Sequence, residues 1–277
     1  MNTPEKTHSF WPLILPFAAF MLIALLEPKF GDESAGTQTP SIESSDDESQ
    51  SVNGSSSAAS EAADESNHSP VVLSDNAHRF LLIYSLKILV MTVLIVVFFK
   101  YYLSHFKFRL TKWGILFGLA GGVIWIGLSY LQIEKSIGGM LGMPETWFEI
   151  RSGINPAQHY PAPGYLWAFY AVRFFGLVVA VPIAEEIFLR GWLIRYIDDP
   201  EWWKVKIQHL EGWPLAVATI YGVLTHPTEA IAAIAWFSFI TLLMVKTRSV
   251  WDCVMAHAIT NLMLGIYVVN YAQWHLW

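Results

Sequence analysis

The sequence predicts an all-α protein, a polytopic membrane bundle of about seven transmembrane helices. Three observations predict it. Charged residues make up only 14% of the 277 and hydrophobic ones 54%, whereas soluble domains carry roughly a quarter charged residues. Mean hydropathy is positive, at +0.40. The apolar residues are blocked into long runs, which is the membrane signature rather than the globular one. These observations exclude an ordinary soluble enzyme. A single cysteine, Cys253, excludes an internal disulfide framework and any CxxC metal or redox site.

The first apolar run, 10–26, is about the minimum that crosses roughly 30 Å of hydrocarbon at 1.5 Å per residue. Glu27-Pro28-Lys29-Phe30 follows it instead of a small-residue cleavage site. Residues 1–30 therefore read as an uncleaved N-terminal anchor. Residues 31–78 are a different material. From 32 to 76 there are ten acidic residues, thirteen serines, no aromatic and no Lys or Arg. Such a segment buries too little apolar area to offset its chain entropy, so a disordered acidic loop is expected. Setting its ten negative charges aside from the formal −6 leaves +4 on the rest of the chain. That is a mildly basic membrane body, with no basic patch to suggest nucleic acid.

Further spans are expected at 80–103 and 113–131. Residues 132–163 contain Gly, Pro and scattered aromatics (Trp147, Phe148, Tyr160) and read as a loop with an interfacial stretch. The fourth span covers 164–183 and runs on to about Tyr196. A short fifth follows at 213–225, then 230–245 and 250–269. Lys100, Lys107, Arg109 and Lys112 follow the second span. Arg190, Arg195, Lys204 and Lys206 follow the fourth, and Lys246 and Arg248 the sixth. With seven spans all three clusters fall on one side, the cytoplasmic side by the positive-inside rule. The N-terminus is then cytoplasmic. The acidic loop and the C-terminal Trp274-His275-Leu276-Trp277 lie outside.

Ionisable side chains at membrane depth are costly and mark function by default. They occur at Glu185, Glu186 and Arg190 in the fourth span, His226 in the fifth, and His257 with Asn261 in the seventh. Glu186 and Arg190 are four apart, about 40° around a helix, so they can pair on one face. Glu185 points about 140° from Arg190 and has no such local partner, which suits a general base or acid. His257 and Asn261 share a face at i, i+4, where an imidazole and an amide can hold one polar group. Cys253 is one turn earlier and reads as a packing residue rather than a nucleophile. Counting inward from the cytoplasmic ends puts Glu185, His226 and His257 at roughly 16, 20 and 10 Å. The three are expected to surround one cavity reached from the cytoplasmic side.

These residues carry a resemblance. Glu185-Glu186-xxx-Arg190, then His226, then His257-xxx-Asn261, in that order and each in an apolar helix, resemble the CPBP family. It comprises the CAAX prenyl endopeptidases of glutamate type and their bacterial relatives, also called Abi. The resemblance covers about residues 80–272. Val181-Pro182-Ile183-Ala184-Glu185-Glu186 with Arg190-Gly191, and the run from Cys253 to Leu262, look like the CAAX protease-related subfamily of bacterial exosortase systems. The resemblance implies an intramembrane protease domain over 79–277 in a bacterial inner membrane, cutting a membrane-associated peptide or protein. It implies that Glu185 activates the attacking water, shared with His226. His257 and Asn261 would stabilise the oxyanion, with Glu186 and Arg190 in support.

The family's second motif is usually FxxxH, and this chain has Gly222 four before His226, with Tyr221 beside it. Pro227 directly after His226 predicts an irregular end to that helix. Glu185, His226 and His257 could instead supply three ligands to a zinc ion with an open position. No HExxH occurs and Asn is a poor zinc ligand, so the preferred reading is glutamate-activated water without an obligatory metal. The same buried groups would also serve an ion- or proton-coupled transporter or a non-catalytic membrane scaffold. Nothing in the residues identifies a substrate, and membership of this family does not imply a prenylated one.

Overall fold

The computed structural model describes residues 8–28, 74–142 and 153–277. Among them all regular structure is helical: α1 (Trp11–Ala24), α2 (Asp75–His105), α3 (Lys112–Leu131), α4 (Ile133–Met140), α5 (Pro156–His159), α6 (Pro163–Phe175), α7 (Val181–Glu186), α8 (Ile194–Asp198), α9 (Trp213–Thr225), α10 (Ala230–Thr247) and α11 (Val250–Tyr271). Helices α6, α7 and α8 form one 36-residue rod, Pro163–Asp198. Wide π-helical turns at Gly176–Ala180 and Ile187–Leu193 join its parts.

Five helices are long and apolar enough to cross a membrane: α2, α3, the α6–α8 rod, α10 with its preceding turn, and α11. The two other expected spans are present as shorter apolar helices, α1 with 14 residues and α9 with 13. At 1.5 Å per residue each is about 20 Å long, short of the roughly 30 Å of a hydrocarbon core. The structure thus shows five helices of crossing length where seven crossings were expected. The stretch 132–163, expected as a loop, contains α4 and α5. Most of the acidic segment, 29–73, lies outside the described residues, and so does its expected disorder. Its boundary moves, because α2 begins at Asp75. The Ser74 side chain accepts from the Ala77 amide at 3.3 Å and Asp75 occupies the first turn, both favourable at a helix N-terminus.

Two sets of contacts define the ends of the bundle. At one end, Trp251 Nε1 donates to the Phe106 carbonyl at 3.1 Å, Arg109 to the Thr247 carbonyl, and Arg248 to the Ile207 carbonyl at 3.1 Å. Arg195 donates to the Val205 carbonyl at 2.7 Å, and His8 stacks on Trp203. Hence the start of α1, the end of α2 and the loops 106–111, 199–212 and 248–249 share this face, where the basic residues cluster. At the other end, Tyr160 donates to the Ala77 carbonyl at 2.9 Å, the Ile231 amide donates to Glu134 at 2.8 Å, and Trp277 packs on Phe169 and Phe174. Between these ends α1 and α2 are antiparallel: Tyr101 and Tyr102 donate to the Ser9 and Pro12 carbonyls, and Lys87 pairs with Glu27 at 2.5 Å.

Helices α3 and α11 run parallel in close contact. Small residues let helix backbones approach, and α3 presents Gly114, Gly118, Gly121 and Gly122 to its partner. A Cβ at Gly118 would lie 2.7 Å from that of Ile259, and one at Gly122 would lie 2.7 Å from Met263 Sδ. Polar contacts fix the register. Asp252 accepts from the Thr111 amide at 2.7 Å and its hydroxyl at 3.0 Å, and Thr260 donates to the Gly118 carbonyl at 3.0 Å. This seam sets the height of His257 and Asn261.

Candidate active site

A cavity of about 310 Å³ lies within the bundle, and Glu185, His226, His257 and Asn261 all line it. Four residues spread over 77 positions of sequence are thus brought to one cavity. Glu186 and Arg190 lie behind it, both fully buried.

Glu185 and Glu186 end α7, between the two π-helical turns. Such wide turns insert extra residues per turn and recur at functional sites. Here adjacent carboxylates serve different surroundings. Glu186 pairs with Arg190 one turn on, as the spacing predicts. Its second oxygen meets His257 Nδ1 at 3.0 Å, a partner that the sequence reading did not give it. Arg190 also donates to the Phe237 carbonyl at 3.2 Å and to Thr241 Oγ1 at 3.4 Å. A carboxylate only accepts, so His257 carries a proton on Nδ1 and turns Nε2 to the cavity side. That nitrogen is 4.0 Å from Glu185. Glu185 is 6% exposed and, among the described residues, has no cationic partner of the kind Arg190 gives its neighbour.

His226 sits where α9 stops. Its backbone leaves the helical region at φ −131°, ψ 61°, and a short 3₁₀ turn, Pro227–Glu229, follows. The proline therefore ends the helix as its chemistry requires. His226 Nδ1 is 3.2 Å from the Gly222 carbonyl and 3.0 Å from Thr225 Oγ1. Donation to that carbonyl leaves Nε2 as the lone-pair nitrogen. The ring is held edge-on by Trp125 at 5.1 Å and tilted against Phe237 at 5.9 Å.

Asn261 departs from the simplest expectation. Its side-chain nitrogen donates to the Leu177 carbonyl at 2.8 Å, in the first wide turn of the rod. One of its two N–H groups is thereby committed to holding α11 against the rod, and one remains. Gly222 is also explained. A Cβ there would lie 2.2 Å from Phe237 Cδ2, so an aromatic from α10 occupies the space beside His226. Tyr221 lines the cavity with its hydroxyl near Glu185, and its ring is 5.8 Å from that of Phe237.

Other wall residues were not among the expected ones: Glu229, Trp236, Lys87 and Arg173, although Lys87 and Arg173 are ionisable residues inside the second and fourth expected spans. The guanidinium of Arg173 lies over the Tyr84 ring at 5.0 Å and the Trp277 ring at 5.5 Å. Cys253 is buried, with its thiol near the Ile240 and Ser249 carbonyls, in a packing position. Among the described residues no group of three or more His, Cys, Asp or Glu side chains is arranged to hold a metal ion. Glu185, His226 and His257 share the cavity but are not arranged as a ligand set, and each imidazole bonds the protein through Nδ1 and keeps Nε2.

Residues 167–263 match the family model described as Type II CAAX prenyl endopeptidase Rce1-like. The matched region covers about a third of the chain and contains all six polar residues of the site. No curated protein and no solved structure matches the chain. The similarity and the five membrane-length apolar helices together support a membrane endopeptidase resembling the CAAX proteases.

Proposed function

We propose that this chain is an integral-membrane endopeptidase of the CPBP type, in which Glu185 activates the water that attacks a scissile amide. The observation that carries this reading is the one cavity lined by a carboxylate without an Arg or Lys partner among the described residues, two imidazoles and an amide. Glu185 takes the water proton as the oxygen attacks the carbonyl carbon, and passes it to the amine that leaves. His226, with a lone pair on Nε2, holds the same water. The second N–H of Asn261 and the Nε2 side of His257 face the developing oxyanion.

The hydrogen bonds support this division of labour: Glu186 takes the Arg190 guanidinium on one oxygen and His257 Nδ1 on the other, and donation from Nε2 to the oxyanion requires His257 to hold a second proton. Glu186 then positions His257, and Arg190 positions Glu186. No step passes through a metal. We place the protein in a bacterial inner membrane, with its N-terminus in the cytoplasm, on the resemblance and on the Lys and Arg of its short loops. The resemblance of 181–191 and 253–262 to exosortase-associated relatives directs the search for a substrate to proteins processed at the cell envelope.

The test is hydrolysis of membrane-protein substrates by the purified chain in proteoliposomes. Glu185→Gln and His226→Ala are expected to lose on the order of 10²- to 10⁴-fold in rate, the usual contribution of a positioned acid–base group. Wild-type rates in both variants would leave the constellation as a packed scaffold. Proton-coupled flux across the same vesicles without peptide cleavage would make it a transporter.

A further inference from the structure

The cavity is not centred in the bundle. Its floor is Glu185 with His257, about 20 and 10 Å from the basic-face ends of their helices at 1.5 Å per residue. The rest of its wall rises the other way. Tyr84 and Lys87 come from the first half of α2, Trp125 from the last third of α3, and Glu229 from the turn before α10. Leu276 and Trp277, beyond the end of α11, line it too. All of these belong to the end of the bundle opposite the basic loops.

Below the floor there is no corresponding passage. Arg190, Leu189, Asp252, Cys253, Leu243 and Met244 are at 0% exposure. Leu189, Leu243, Met244 and Cys253 belong to one buried core cluster, and Asp252 is bonded to Thr111 in the loop beyond it. The Arg190 guanidinium is tied to Glu186, Phe237 and Thr241. Among the described residues this packing leaves the basic side closed below Glu185, which favours approach from the other side over the expected one. The sequence count held the reason: depths of roughly 16 and 20 Å for Glu185 and His226 lie past the midplane of a roughly 30 Å core.

The faces differ in charge as well. Lys107, Arg109, Lys204, Lys206, Lys246 and Arg248 sit in or beside three short loops of the closed face. The sequence between the helix ends that meet the cavity face holds fewer: Lys29 and Arg79 flank the stretch 32–76 with its ten acidic residues, and Lys135 and Arg151 lie between α3 and α6. The bias of Lys and Arg in short loops assigns the closed face to the cytoplasm.

From these two observations we infer that the site receives its peptide from the extracytoplasmic face, so that its substrate is a segment exposed at the outer leaflet. This rests on the hydrolytic reading for the word substrate, but the direction of access stands on geometry alone. The test is cysteine labelling of the full chain in the inner membrane of bacterial spheroplasts, in a Cys253→Ala background, with a membrane-impermeant maleimide. Gln158→Cys and Asn270→Cys report the cavity face, Lys107→Cys and Glu201→Cys the basic face, and Leu276→Cys the cavity wall. The first two and Leu276→Cys are expected to label in intact spheroplasts as fully as after permeabilisation. The basic-face pair is expected to gain at least about tenfold on permeabilisation. The reverse pattern overturns the inference. So does a Leu276→Cys that stays unlabelled while Gln158→Cys and Asn270→Cys react. Because labelling does not read hydrolysis, a failed cleavage assay leaves this result intact, and the converse also holds.

Discussion

Glu186 Oε1 lies 3.0 Å from His257 Nδ1 while its other oxygen takes the Arg190 guanidinium. One carboxylate thus ties the middle of the rod to α11 at the height of the site. All three groups are at or near full burial, so removing one charge strands another in low dielectric. Glu186→Gln is expected to cost about 3–5 kcal/mol, the usual penalty for breaking a buried pair. Thermal unfolding in detergent measures it. Glu186→Leu combined with Arg190→Met removes both charges and is expected to recover most of the melting temperature without recovering hydrolysis. Recovery of hydrolysis in that pair would show that Glu186 does not position His257.

Phe237 fills the space above Gly222, and overpacking a filled site costs about 1–3 kcal/mol. Gly222→Ala is therefore expected to lower stability by that amount and to displace His226. Adding Phe237→Ala should restore the room, and with it part of the activity. If Gly222→Ala melts like wild type, the packing of Phe237 against α9 is looser than these contacts require.

No group of three or more His, Cys, Asp or Glu side chains is arranged as a ligand set around the cavity among the described residues. Dialysis against a strong chelator is expected to leave hydrolysis within about twofold. Zinc added back is expected to give no gain. A large loss restored by one divalent ion would instead place a metal on Glu185, His226 and His257.

Tyr160 lies in a connection on the cavity face, outside the membrane-length helices. Burial pushes its phenol up to about 12, from an unfolded value near 10. Stability from the neutral, hydrogen-bonded phenol is fully present below pH of about 10 and is lost as pH rises towards 12. The slope is at most about 1.4 kcal/mol per pH unit. Tyr160→Phe removes this slope together with the bond to the Ala77 carbonyl. It is expected to cost about 0.5–1.5 kcal/mol at neutral pH, and alkaline denaturation curves compare the two chains.

Much of this protein was legible from residue order alone because membrane helices are written in composition. The runs behind α2, α3, α10 and α11 lie within a few residues of the helices that form. The Glu186–Arg190 pair followed from a four-residue step, and the end of α9 followed from Pro227. What stayed hidden depends on contacts between distant segments. The Glu186–His257 bond joins residues 71 apart in sequence, and no local pattern announces it. Donation from Asn261 to Leu177 needs a π-helical turn, which has no reliable residue signature. The aromatic missing at 222 arrives from 237, on another helix. The side from which the cavity is reached depends on what packs beneath Glu185, and that packing joins α10, α11 and the rod, which no local pattern records.

The two short helices have a consequence for the surrounding lipid. Helix α1 and helix α9 meet through Phe17 and Tyr221, with ring centroids 6.1 Å apart, and both contribute to the cavity wall. A bilayer thins to match hydrophobic segments shorter than itself, at a modest cost for each ångström of mismatch. The shortfall of roughly 10 Å beside this pair makes it the flank where the hydrocarbon above the cavity wall is expected to be thinnest.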